Sequence, residues 1–238
     1  MEQENVGLYL GMDISEKYTM ISIYQQHMKE PQTISTIMGS ESYQIPTALA
    51  KKKGVGQWFF GREAKVRVKS GEALGVEDLL DKARTGEEVF LEHEKYAASD
   101  LLAIFLKRVL SLAGSAQAMM PLTKLVICLD KVSVEYMELF SAIMVKLGIE
   151  TDKLLLIDRR ESFYYYALSQ EPETFLHDVV MFDYTESDMV SCRLRRNMHT
   201  TPQVINLDQK NHGKLLDQKD GAFQKIAQDV VDGQVVSA

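Results

Sequence analysis

Two cysteines in 238 residues, Cys128 and Cys192, are too few for a disulfide framework, and both fall inside apolar strand-like runs. They read as buried, reduced thiols, which points to the cytoplasm. No apolar run approaches the ~18 residues needed to span a bilayer. The opening residues, MEQENVGLYLGMD, lack the basic start and long apolar stretch of a secretory leader. No membrane association is expected. Basic charge is also short: 27 lysines and arginines stand against 34 aspartates and glutamates, a formal net charge of −7. Nothing overall pulls the chain toward nucleic acid, and its aromatics are not interleaved with basic residues as in a single-strand binder. Lys51 to Lys53 and Arg193, Arg195 and Arg196 read as solvated faces. His27, His93, His177, His199 and His212 have no metal-ligand spacing. No serine sits in a nucleophile elbow, and direct comparison finds neither internal repeats nor low-complexity tracts.

What is present is enough apolar residue (45%) to bury a core in a chain of this length. Residues 6–12 and 18–24 read as a hairpin around DISEK, with Asp13 at the end of its first strand. Residues 33–38 and 57–61 are further strand candidates, with Pro46, Gly54 and Gly56 between them. The charged stretch 62–95 suggests helix and exposed loop. Residues 96–113 place Leu101, Phe105, Val109 and Leu112 on one helical face, with Ser99 or Asp100 as N-cap and Gly114 as the stop. KLVICLD (124–130) reads as a buried strand. Ser133 opens a helix with Met137, Phe140, Met144 and Leu147 in register, ended by Gly148. KLLLID (153–158) is the next strand, RESFYYYAL the next helix, and VVMFDYTESDMVSCRL (179–194) a hairpin. Residues 220–232 read as a last helix. Strands alternating with helices imply a mixed sheet flanked by helices.

Glycine is missing where a phosphate-binding turn needs it, because only a backbone without Cβ lets its N–H groups close on an anion. After Asp13 stand Ser15, Glu16 and Lys17; after Asp183 stand Tyr184, Thr185, Glu186, Ser187 and Asp188.

The order of these elements, with Asp13 and Asp183 each leading a hairpin turn, resembles the actin, sugar-kinase and heat-shock-chaperone ATPase superfamily, nearest to the chaperone branch and as a bacterial offshoot. The resemblance implies an α/β, actin-like ATPase (ribonuclease H-like) fold with a mixed central sheet, mainly its first lobe. It puts that lobe at residues 1–197, a small inserted subdomain at about 40–98, and the start of an incomplete second lobe at 198–238, so that a longer parent chain is expected. Residues 6–12 and 179–183 would share one sheet. It also implies ATP or ADP and magnesium as ligands. Asp13, Ser15, Lys17, Asp183 and Thr185 would then line the nucleotide, Asp13 and Asp183 would hold the metal through water, and Glu161 would be the general base. Lys82 matches the family's lysine.

The departures from the family fall on the chemistry. A phosphate beside Glu186 and Asp188 would meet like charge. The expectation is a pseudo-ATPase: a chaperone-like, non-catalytic binding or scaffolding module that engages a protein partner or associates with itself. The alternatives are an ATP-binding ATPase or kinase-like enzyme completed by a longer chain or partner, and a filament-forming protein. Open backbone donors at the two turns would distinguish an enzyme from a scaffold.

Overall fold

A computed structural model describes residues 7–37, 39–114, 122–170, 178–184, 189–197, 199 and 204–212. The elements run β1 (Leu8–Ile14), β2 (Tyr18–Gln25), β3 (Gln32–Thr33), β4 (Ile45–Pro46), β5 (Leu49–Lys52), β6 (Trp58–Phe60), α1 (Gly61–Lys69), β7 (Ala73–Val76), α2 (Leu79–Thr85), β8 (Glu88–Leu91), β9 (Glu94–Ala97) and α3 (Ala98–Gly114). Then follow β10 (Leu122–Leu129), α4 (Val134–Leu147), β11 (Leu154–Asp158), α5 (Arg159–Ser169), β12 (Val179–Tyr184), β13 (Met189–Arg196) and β14 (Val204–Asn211). The fold is mixed α/β. The chain divides into two compact units, residues 1–159 and 160–238.

The first unit is built on a mixed sheet in the order β11-β10-β1-β2-β3, with β4 also on β2. β1, β2 and β3 form an antiparallel meander, whereas β10 and β11 run parallel to β1. Period-two alternation turns Leu8, Leu10, Met12 and Ile14 to one face, where Leu125, Ile127 and Leu129 of β10 join them. α3 and α4 supply Leu101, Phe105, Leu106 and Val109, and Leu139, Phe140, Ile143 and Met144, to the same core. α4 starts where Ser133 Oγ accepts the Tyr136 N–H and stops at Gly148, whose φ of 71° is the left-handed conformation glycine adopts without strain. Met137, read as core-facing, is instead 47% exposed. It lies three residues ahead of Phe140, on the solvent side of the stripe that Leu139 and Ile143 centre.

Between β4 and α3 the first unit carries a second, smaller sheet, β6-β5-β7, covered by α1, and the hairpin β8–β9. Four of these strands lie where a charged helix and loop were expected or between the expected strands. At four residues or fewer, β5, β7, β8 and β9 are too short for alternation to register, and tertiary pairing supplies what propensity does not. The strand expected at 33–38 shortens to Gln32–Thr33. Lys51, buried on β5, pairs with Glu92 (3.7 Å) and Glu94, while Tyr96 donates to Glu94 and Glu92 Oε1 accepts the Gly54 N–H at 2.8 Å. These bonds, Glu94 foremost, hold the Lys51 ammonium above the usual lysine range and clasp the β8–β9 hairpin onto β5.

In the second unit β12, β13 and β14 form another antiparallel meander, with Met181, Val190, Cys192 and Leu194 packed against Tyr164 of α5. The expectation that 6–12 and 179–183 share a sheet is corrected: β1 and β12 belong to separate sheets. Both cysteines are buried thiols outside any disulfide. Among the described residues no helix is long and apolar enough to cross a membrane. The helix expected at 220–232 lies outside the described residues.

Candidate functional site

Three parallel strands end together. Asp13 pairs with Cys128, and Cys128 with Ile157, so all three face the side of the sheet opposite α3 and α4. One residue on, Ile14, Leu129 and Asp158 point to the other face. Ser15, Asp130 and Arg159 directly follow these three strands, at the carboxyl ends of parallel strands, the edge where α/β sheets receive ligands.

The guanidinium takes the centre. Arg159 Nη2 lies 2.8 Å from Asp130 Oδ1 and 3.7 Å from Asp13 Oδ1. Both contacts are ion pairs, the second beyond hydrogen-bond reach. The Arg159 side chain is 26% exposed and that of Asp13 35%, while Asp130, at 64%, stands open to solvent.

The turn after β1 is closed on itself. Ser15 Oγ donates to the Tyr18 carbonyl at 3.0 Å and accepts the Tyr18 N–H at 3.2 Å, and the Ser15 N–H also donates to that carbonyl. The Lys17 carbonyl accepts the Thr47 N–H at 2.9 Å. Glu16 lies by the first turn of α2, near the backbone N–H groups of Leu80 and Asp81. The N-cap residue of α2, Asp78, sits at φ 50° and makes no side-chain cap. Burial raises the Glu16 carboxyl above its ordinary value, while the two backbone donors pull it back down.

A hydrated magnesium ion does not fit this arrangement as it stands. Its place beside Asp13 is already next to a guanidinium. Two unit charges 4 Å apart interact by about 4 kcal/mol at an effective dielectric near 20, and a divalent ion doubles that repulsion. Among the described residues no group of three or more histidine, cysteine, aspartate or glutamate side chains is arranged to hold a metal.

Lys82 Nζ donates to the Glu77 carbonyl at 2.9 Å. Glu161 and Asp183 belong to the second unit. Glu161 Oε1 accepts from Tyr165 Oη at 3.3 Å, one turn along α5, and Asp183 is paired with Val190 across β12–β13. Thr185, with Glu186, Ser187 and Asp188, lies outside the described residues. On β13, Arg193 and Arg195 grip Asp178, with the Arg195 bond foremost in holding that carboxyl down to about 2. Ser191 Oγ and His212 Nε2 are 2.8 Å apart; burial, with Lys210 adding to it, pushes the imidazole below its ordinary value.

Sequence reasoning missed Asp130 and Arg159. The signal was available: KLVICLD and KLLLID both end in aspartate followed by a basic residue, and placing two parallel strands in register with β1 brings those ends to Asp13.

Residues 30–238 match the family of unknown function DUF5716, C-terminal. The chain belongs to this family. No curated protein matches it. The DUF5716 match begins after the β1–β2 hairpin, so Asp13 and its turn precede it, whereas Asp130, Arg159 and all of β5 to β9 fall within it.

Proposed function

We propose that this chain is an actin-like ATPase-fold (ribonuclease H-like) module with a degenerate nucleotide site, acting as a non-catalytic binding or scaffolding protein for a protein partner. The fold reading is supported by element order. An antiparallel meander is followed by helix, strand, helix and strand, with the later strands parallel to the first. It is supported again by the second meander: Asp13 and Asp183 are each the penultimate residue of the first strand of a three-stranded antiparallel set. On that correspondence the second lobe starts with the second unit, well before residue 198.

The observation that carries the non-catalytic reading is Arg159 between Asp13 and Asp130. Phosphoryl transfer depends on positioned donors and metal charge aimed at the transferring group. Here the charge complementing Asp13 is a side chain of the protein itself, and the turn that would have cradled phosphate is spent on its own hydrogen bonds. ATP and magnesium have no prepared place in such a turn. Steady-state phosphate release with magnesium and ATP tests this. No turnover above buffer is expected. Hydrolysis that Asp13→Ala abolishes would overturn the reading and favour the ATPase or kinase-like alternative.

A further inference from the structure

In the first unit an open cleft of about 490 Å³ lies between α1 and the chain that passes from β7 into α2. That size falls within the ~300–1,000 Å³ of small-ligand sites. Its apolar lining is Ala48, Leu49, Ala64, Val68, Gly75 and Val76. Leu49, Ala64 and Val76 are buried, so the floor is an extension of the core. Gly75 leaves backbone bare on that floor, and a Cβ there would stand 3.0 Å from Val68 Cγ2.

Five charged side chains line the same cleft, and their signs are sorted by element. Lys65 and Lys69 stand one turn apart on α1. Glu77 and Asp78 follow β7, and Glu16 comes from the turn between β1 and β2. All five are exposed, and among the described residues neither lysine forms an ion pair with any of the three carboxylates. Opposite charges that share a cleft without meeting leave both signs to a ligand that carries both. The balance is not even. Three carboxylates face two ammonium groups, and Lys65 already lies over the Tyr18 ring, 5.6 Å from its centre. The stronger pull is therefore on a cation. Glu16 adds to it: burial raises its carboxyl, and Asp81 and Asp78 raise it further, so an arriving positive charge is favoured there.

From this we infer that the cleft binds a basic amino-acid carboxylate. The cation at the end of the side chain meets Glu16, Glu77 and Asp78, the methylene stem lies over Ala48, Ala64 and Gly75, and the carboxylate meets Lys69. Free lysine or arginine has this chemistry, and so does a protein chain that ends in either. The inference goes beyond the reading of the nucleotide site and does not pass through Asp13 or Arg159.

The test titrates the full chain, labelled with nitrogen-15, with L-lysine at low ionic strength. Saturable amide shifts in residues 47–49, 64–69 and 75–78 are expected. Norleucine lacks the side-chain ammonium and 1-aminopentane lacks the carboxylate, so each should bind roughly tenfold more weakly or worse. Nα-acetyl-lysine stands for a chain end. Whichever of it and lysine binds tighter, both supporting the shared chemistry, identifies the source. Glu77→Gln should erase the preference for lysine over norleucine, and Lys69→Gln the preference for lysine over 1-aminopentane. Loss of one preference with retention of the other shows each variant to be folded. No saturable shift with lysine, equal binding of norleucine or 1-aminopentane, or a preference for glutamate would overturn the inference. The nucleotide reading is decided separately, by phosphate release.

Discussion

Glu16 and Arg159 carry opposite charges and flank the turn after β1: Glu16 lies by the first turn of α2, and Arg159 pairs with Asp13 and Asp130. A carboxylate at a helix N-terminus contributes about 0.3–1 kcal/mol. With a urea slope of about 1–3 kcal/mol per molar, Glu16→Ala should lower the urea midpoint by a few tenths of a molar, read at Trp58, the sole tryptophan, which packs edge-on against Tyr96. An unchanged midpoint would mean that α2 does not depend on that carboxylate. Arg159→Gln should leave two carboxylates facing each other and create a divalent-cation site that the wild type lacks, detectable as manganese-induced paramagnetic broadening near Asp13. Broadening of equal strength in the wild type would contradict the assigned role of the guanidinium. The aspartates that lead each turn were legible in the sequence. The partners of Glu16 and Asp13 were not, because they come from α2 and from the end of β11, far away in sequence, and only packing and register bring them in.

At the scale of elements, long periodic segments were readable and short ones were not. α3, α4 and the strands β1, β2, β10 and β11 each carry enough apolar periodicity, or a cap and a stop, to be placed within a few residues. Ser133→Ala should cost about 1 kcal/mol, since it removes the acceptor for the Tyr136 N–H; a thermal melt unchanged within error would contradict the cap. β5, β7, β8 and β9 escaped because their stability rests on Lys51, Glu92 and Glu94 and on the cover of α1, none of which is a local pattern. β12 and β13 are held partly by Asp178 with its two arginines. Its carboxyl lies at about 2 when folded against 3.8 as a reference, so its contribution is complete above pH ~4 and lost as pH falls from there toward 2. His212 acts at a higher pH. Burial lowers its proton affinity in the folded state, so the unfolded chain binds more protons, and stability falls as pH drops below about 6.5. Replacing His212 with glutamine should flatten the loss below pH 6.5 but not the loss below pH 4, and Asp178→Asn the reverse, both followed by far-ultraviolet circular dichroism. The same slopes in all variants would contradict these assignments.

Over the whole molecule, two three-stranded meanders, each with an aspartate one residue before the end of its first strand, are the feature that no direct comparison of sequence revealed. VGLYLGMDIS and VVMFDYTES share a pattern of alternation and one acid, too little to register as a repeat, yet each specifies the same local topology. Treating the second hairpin as part of the first sheet followed from reading the chain as one lobe; the division after Arg159 and the separate sheet of β12 correct that. Belonging to DUF5716 attaches no chemistry to the fold, so function rests on the site itself. Titration of the purified chain with magnesium and ATP in a calorimeter tests the central claim most directly. The account predicts no saturable heat from the wild type and no change with Asp13→Ala. Saturable binding that Asp13→Ala removes would contradict it.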